Sequence, residues 1–139
     1  MNLSMYLGNA TEHAVMALLL RSMREVYAPL VDDSGVDLIV RSKDGTSDDF
    51  QEIQVKSLSS GGLFAAISCP NPRANYWYVF HVADIDKMWL INSLDFVKLA
   101  SQNQKGKNMG KYSIDLCRKT PALRALTEPF VITDFSKLP

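Results

Sequence analysis

Val36-Asp37-Leu38-Ile39-Val40, a polar turn, and then Phe50-Gln51-Glu52-Ile53-Gln54-Val55-Lys56-Ser57 are the residues that decide the fold. The two apolar runs flank a loop containing Asp44-Gly45, a dipeptide that turns a chain readily, so together they read as a β-hairpin. Each run carries polar groups where a buried strand has none: Asp37 in the first, Gln54 and Lys56 in the second. Side chains alternate along a strand, so Glu52, Gln54 and Lys56 share one face, while Ile53 and Val55 take the other, toward a core. A hairpin brings Asp37 beside Gln54 and Lys56. An acid, an amide and an ammonium in one pocket are costly to bury unless they pair or hold a metal, and this marks a candidate site. The plainer alternative is a buried Asp37–Lys56 salt bridge, in which desolvation offsets the attraction.

Asp37 followed seventeen positions later by Gln54-Val55-Lys56 resembles the signature of the PD-(D/E)XK nuclease superfamily. Gly35-Val36-Asp37-Leu38 and Ile53-Gln54-Val55-Lys56 look most like its Holliday-junction-resolvase-like and restriction-endonuclease-like branches. The resemblance spans roughly residues 8 to 100. Most members carry an acid where this chain has Gln54; some branches use glutamine. In resolvase-like members a glutamate on the first helix joins the strand acid at the metal, and Glu12 stands at that place.

The resemblance implies an α/β fold, restriction-endonuclease-like, with a mixed β-sheet flanked by helices and an N-terminal helix followed by the strand hairpin that carries the site. It implies a metal-dependent DNA endonuclease with Glu12, Asp37, Gln54 and Lys56 as catalytic residues. Asp37, Gln54, Glu12 and the backbone carbonyl of Val55 would hold Mg²⁺ or Mn²⁺, hard cations that prefer oxygen. The neutral amide of Gln54 leaves less negative charge at the site than an acid would. Lys56 would orient water or stabilise charge on the phosphate. The alternative is a catalytically inactive module of the same fold that binds a protein or nucleic-acid partner.

The 139 residues suit a single domain, 1–139, and 47% hydrophobic residues suffice for a packed core. Fifteen basic and fifteen acidic residues cancel, which argues against a protein that coats DNA by excess charge, though not against a local basic patch or a dimer pooling two patches. Cys69 and Cys117 form no CxxC or Cys/His cluster, so a structural zinc site is not expected. Ala14 to Leu20 is too short to span a bilayer and ends at Arg21, and a secretory leader pattern is missing. These features lead to the expectation of a cytoplasmic protein with DNA as partner, without membrane contact. Cutting two strands needs two sites, hence a homodimer or a partner protein. There is no GxSxG pattern.

Along the rest of the chain, Asn9 to about Tyr27 reads as an amphipathic helix with Val15, Leu18, Leu19, Met23 and Val26 as its buried stripe. Asn9 as N-cap and Glu12 three positions on fit a capping box. Glu12 therefore has two compatible roles, cap acid and metal-site acid. Asp32 and Asp33 suit a turn, and Ser57 to Gly62 a loop beside the pocket. Leu63 to Ser68 reads as a strand that Pro70 and Pro72 break. Tyr76 to Val82 reads as a central strand whose rings are core, with His81 a core or rim histidine. Met88 to Ile91 is its hairpin partner. Ser93 reads as N-cap of a helix to about Ala100, with Asp95 at N2. Lys105, Lys107 and Lys111 lie in a polar loop from Gln102 to Lys111 and are the candidate nucleic-acid contacts. Tyr112 to Leu116 suits a strand, Arg118 to Leu126 a short helix broken by Pro121, and Phe130 to Phe135 a segment that docks on the domain.

Overall fold

The computed structural model describes residues 2–31, 34–44, 49–58, 64–116 and 121–139, without the side chains of Phe64 and Leu123. Asp32 and Asp33, Gly45, residues 59–63, and Cys117, Arg118 and Lys119 lie outside the described residues.

The chain opens with helix α1 (Leu3–Arg21). Edge strand β1 (Val26–Tyr27) follows, then β2 (Leu38–Arg41) and β3 (Phe50–Leu58), which pair antiparallel as the expected hairpin. Next come β4 (Phe64–Ile67), β5 (Tyr76–Val82), β6 (Lys87–Asn92) and helix α2 (Ser93–Leu99). β7 (Ser101–Gln102), β8 (Tyr112–Asp115), α3 (Pro121–Arg124) and β9 (Val131–Ile132) complete the described elements.

Six strands form one mixed sheet in the order β1-β2-β3-β5-β6-β9, in which only β3 and β5 run parallel. β4, β8 and β7 form a separate antiparallel sheet. Parallel neighbours need a crossover, and β4 lies within the one from β3 to β5.

Alternation along β3 sorts the two faces. Gln51, Ile53 and Val55 are buried, while Glu52, Gln54 and Lys56 are half-buried. Ile53 and Val55 share a core with Val15 and Leu19 of α1, Leu38 and Val40 of β2, and Phe135 and Leu138 near the C-terminus. The opposite face packs Tyr76, Tyr78, Phe80 and Trp89 against Phe96 of α2 and against Ala65, Ile67 and Ile114 of the small sheet. The expected aromatic core of β5 is therefore formed, with Tyr78 and Phe96 edge to face at 4.9 Å. Burying Val15 and Leu19 stabilises the helix–sheet contact by about 1.5–3 kcal/mol each.

The first helix departs from expectation at both ends. It begins at Leu3, with Asn2 as the cap residue and its carbonyl accepting from Met5 and Tyr6. Asn9 lies inside the helix, so Glu12 is no capping-box acid. The local cap signal at Asn9 loses because no proline interrupts residues 3–8, and the helical ladder continues through them. At the other end Met23 adopts φ 61°, and the N–H groups of Met23 and Arg24 donate to the carbonyls of Leu20 and Leu19. This is a Schellman stop made without glycine. Met23 is consequently exposed, and Val26 belongs to a strand.

One smaller boundary also shifts. Asn92, not Ser93, caps α2 by accepting the Leu94 N–H at 2.9 Å, which places Asp95 at the third helical position. The Ser93 hydroxyl donates to the Arg73 carbonyl at 2.9 Å and accepts its N–H at 3.0 Å, tying the segment before β5 to α2. α3 runs over Pro121–Arg124, inside the expected short helix, whose first residues lie outside the described ones. The last segment docks as expected: β9 extends the sheet beside β6, and Phe135 and Leu138 are buried. Among the described residues no helix is long and apolar enough to cross a membrane.

Candidate active site

The ladder between β2 and β3 ends at Leu38 opposite Ile53, and the Asp37 N–H donates to the Ile53 carbonyl at 2.8 Å just beyond it. One step further along β3, the Val55 N–H has no β2 main-chain partner and donates instead to the Asp37 carboxylate at 2.6 Å. A residue's N–H and C=O point to the same side of a strand. The Val55 carbonyl is therefore directed past the end of β2, on the side that Asp37 occupies. A carboxylate and a main-chain carbonyl thus border one opening in the sheet, created because β2 is shorter than β3.

Gln54 lies on β3 between Ile53 and Val55, the two residues that Asp37 bonds, with its side chain on the face away from α1. It meets Tyr76, a residue the sequence pattern assigned only to the core. The Tyr76 hydroxyl donates to the Gly35 carbonyl at 2.9 Å and lies 3.1 Å from Gln54 Oε1. Gly35 has φ +74°, and a Cβ there would come within 3.2 Å of the Tyr76 hydroxyl and 3.3 Å of the Gln54 amide nitrogen. Conformation and crowding both call for glycine two residues before Asp37.

Glu52, on the same face, is bonded by the guanidinium of Arg73, which also lies 4.1 Å above the Tyr76 ring. Among the described residues the close ion pair on this face joins Arg73 to Glu52; Asp37 is engaged by the Val55 N–H. Lys56 is half-buried on this face, beyond Gln54.

Glu12 comes from the other side of the sheet. It is half-buried beside Thr11, which with Val15 and Leu19 forms the buried stripe of α1. The first half of α1 overhangs the C-terminal ends of the parallel strands β3 and β5. There Thr11 and Ala14 face Ser57, His81 and Asp84 across a cleft of about 600 Å³. Glu12 thus belongs to the helix on the face of β3 opposite Lys56. His81 is the rim histidine expected, paired with Asp86 at 3.2 Å.

Lys105 and Lys107 are exposed, and Lys111 half-buried, in the turn between β7 and β8. That turn is ordered by the Asn103 N–H donating to the Lys111 carbonyl at 2.9 Å and the Gly110 N–H to the Asn103 carbonyl at 2.8 Å. The small sheet bearing it packs on the Gln54–Lys56 face of the large one.

A hard divalent cation fits this donor chemistry, which is all oxygen: a carboxylate, a main-chain carbonyl and a side-chain amide. A nitrogen- or sulfur-preferring metal does not. Among the described residues no three His, Cys, Asp or Glu side chains are grouped to hold a metal ion.

Comparison with known proteins places the architecture. The bacterial homing endonuclease I-Ssp6803I is similar in structure, with a TM-score of 0.57 over 91% of this chain and 89% of that one. Sequence identity is 18%, so the likeness concerns the fold. No protein-family model and no curated protein matches the sequence.

Proposed function

We propose that this protein is a divalent-metal-dependent DNA endonuclease of the PD-(D/E)XK type, in the form that carries glutamine in place of the second acid. The observation that carries the proposal is the opening beside β3. The Asp37 carboxylate is held there by the Val55 N–H, and the Val55 carbonyl points to the same side. Gln54 and Lys56 flank it on the strand. The similarity in fold to a homing endonuclease supports the assignment.

Phosphodiester hydrolysis needs a nucleophilic water and neutralised charge on the leaving oxygen. Bound Mg²⁺ or Mn²⁺ supplies both. Asp37, the Val55 carbonyl and the Gln54 amide oxygen would hold the ion, with Glu12 reaching the site from α1. Lys56, half-buried beyond Gln54, orients the attacking water or takes up charge on the phosphate. Lys105, Lys107 and Lys111 hold the DNA backbone from the neighbouring sheet. Because one site cuts one strand, the active species is a homodimer or works beside a partner protein.

A second reading has its own support: the formal net charge is zero, and Gln54 replaces an acid. On that reading the chain is a silent module of the same fold that binds a protein or nucleic acid. Incubation with Mn²⁺ and a mixed set of duplex, junction, flap and single-stranded DNA separates the two. Cleavage by the wild type and none by Asp37→Ala is the expected result. A folded wild type that cuts none of the substrates would favour the silent module.

A further inference from the structure

Resting on the metal-site reading above, we infer that Tyr76 is a positioning residue. It holds the Gln54 side-chain amide with its nitrogen toward the tyrosine, which leaves the amide oxygen as the end open to a cation.

Hydrogen-bond supply sets this orientation. The Tyr76 hydroxyl lies 2.9 Å from the Gly35 carbonyl oxygen and 3.1 Å from one end of the Gln54 amide. A phenol carries a single proton, and a carbonyl only accepts. If the amide presents oxygen to Tyr76, two acceptors compete for that proton. If it presents nitrogen, Tyr76 donates to Gly35 and accepts from Gln54, so both contacts become hydrogen bonds. The two amide ends are nearly the same size, so a half-turn of the terminal torsion exchanges them with almost no movement of heavy atoms. The half-turn leaves the oxygen at the end that lies against Gly35, two residues before Asp37. A further contact of Tyr76 supplies no second hydroxyl proton, so two carbonyl acceptors still compete for one unless the amide presents its nitrogen.

Tyr76 is itself fixed. It is buried to 3% exposure, packs edge to face on Tyr78 at 5.1 Å, and carries the Arg73 guanidinium over its ring. An acid in place of Gln54 would offer oxygen from either end and need no such orientation. A glutamine does need it, since half of its orientations would turn an NH₂ toward a cation. The tyrosine therefore compensates for the residue in which this chain departs from the common motif.

The orientation can be read without metal, by NMR of the labelled protein. Cross-peaks from the Gln54 side-chain NH₂ to the Tyr76 ring, stronger than those to the Gly35 α-protons, are expected; the reverse order overturns the inference. Its consequence for the cation is read by calorimetric Mn²⁺ titration of four proteins: wild type, Tyr76→Phe, Gln54→Glu and the double variant. Tyr76→Phe should weaken Mn²⁺ binding by about three- to tenfold, the size of one lost hydrogen bond. In the Gln54→Glu background the same change should have less than about a twofold effect, because a carboxylate has no wrong end. Equal weakening in both backgrounds would mean that Tyr76 acts through general packing, and no weakening in either would remove its role altogether. A wild type with the expected cross-peaks that takes up no Mn²⁺ would instead sink the metal-site reading and, with it, the functional sense of the orientation.

Discussion

The Asp37 carboxylate accepts the Val55 N–H at 2.6 Å, one residue outside β2 and at the point where β3 loses its antiparallel neighbour. The acid thus completes the edge of the sheet while facing the opening beside it. Structural and chemical duties of this residue can be separated by substitution. Asp37→Asn keeps an oxygen for the Val55 N–H and removes the charge. It should leave the thermal midpoint close to wild type and abolish both Mn²⁺ binding and DNA cleavage. Asp37→Ala should lose function and also about 1–3 kcal/mol of stability, the cost of leaving a half-buried N–H without an acceptor. Denaturant unfolding of both variants checks the distinction; equal destabilisation would show that the N–H bond is not what holds this edge.

Gly35 should be intolerant of any side chain. At φ +74° an alanine costs about 1–3 kcal/mol, and its Cβ would press on both Tyr76 and Gln54. Gly35→Ala is expected to unfold at lower denaturant and to bind Mn²⁺ more weakly even where it is still folded. Unchanged metal affinity in the folded variant would show that the glycine serves the backbone alone.

Glu52 shares a strand face with Gln54 and Lys56 but is committed to Arg73. Its removal should therefore spare the metal requirement. Glu52→Gln is expected to leave the Mn²⁺ concentration for half-maximal cleavage within about twofold of wild type. The stability change should be well below about 1 kcal/mol, since both partners are about a third exposed. A large rise in the metal requirement would place Glu52 among the ligands.

The three lysines of the β7–β8 turn should act through phosphate charge. Replacing Lys105, Lys107 and Lys111 together by glutamine should weaken DNA binding and flatten its dependence on salt. The slope of log affinity against log salt should fall by about 0.9 for each lysine that contacts a phosphate. Mn²⁺ affinity should be unchanged. A salt slope identical to wild type would exclude the turn from the DNA surface.

Some of this molecule was legible residue by residue. The hairpin of β2 and β3, the face shared by Glu52, Gln54 and Lys56 and the aromatic core strand β5 all follow from a period of two and from β propensity. Those are properties of neighbours in sequence, and the chain carries them wherever it goes. The capping signal at Asn9 was equally local but lost to a helix that continues to Leu3, because a cap motif is decided by whether the preceding turn can also be helical.

What the tertiary structure alone decided is how the site is finished. The end of β2 one residue after Asp37, counted back from β3, turns a strand acid and the Val55 carbonyl toward one opening. The parallel pairing of β3 with β5 delivers Tyr76 to Gln54 and Gly35, and the segment before β5 delivers Arg73 to Glu52. Packing of α1 on the Val55 face sets Glu12 on the opposite side of the sheet from Gln54 and Lys56. Each of these contacts joins residues about twenty or more positions apart, where no periodicity or spacing rule operates. They exist because two hydrophobic faces of one sheet had to be covered at the same time.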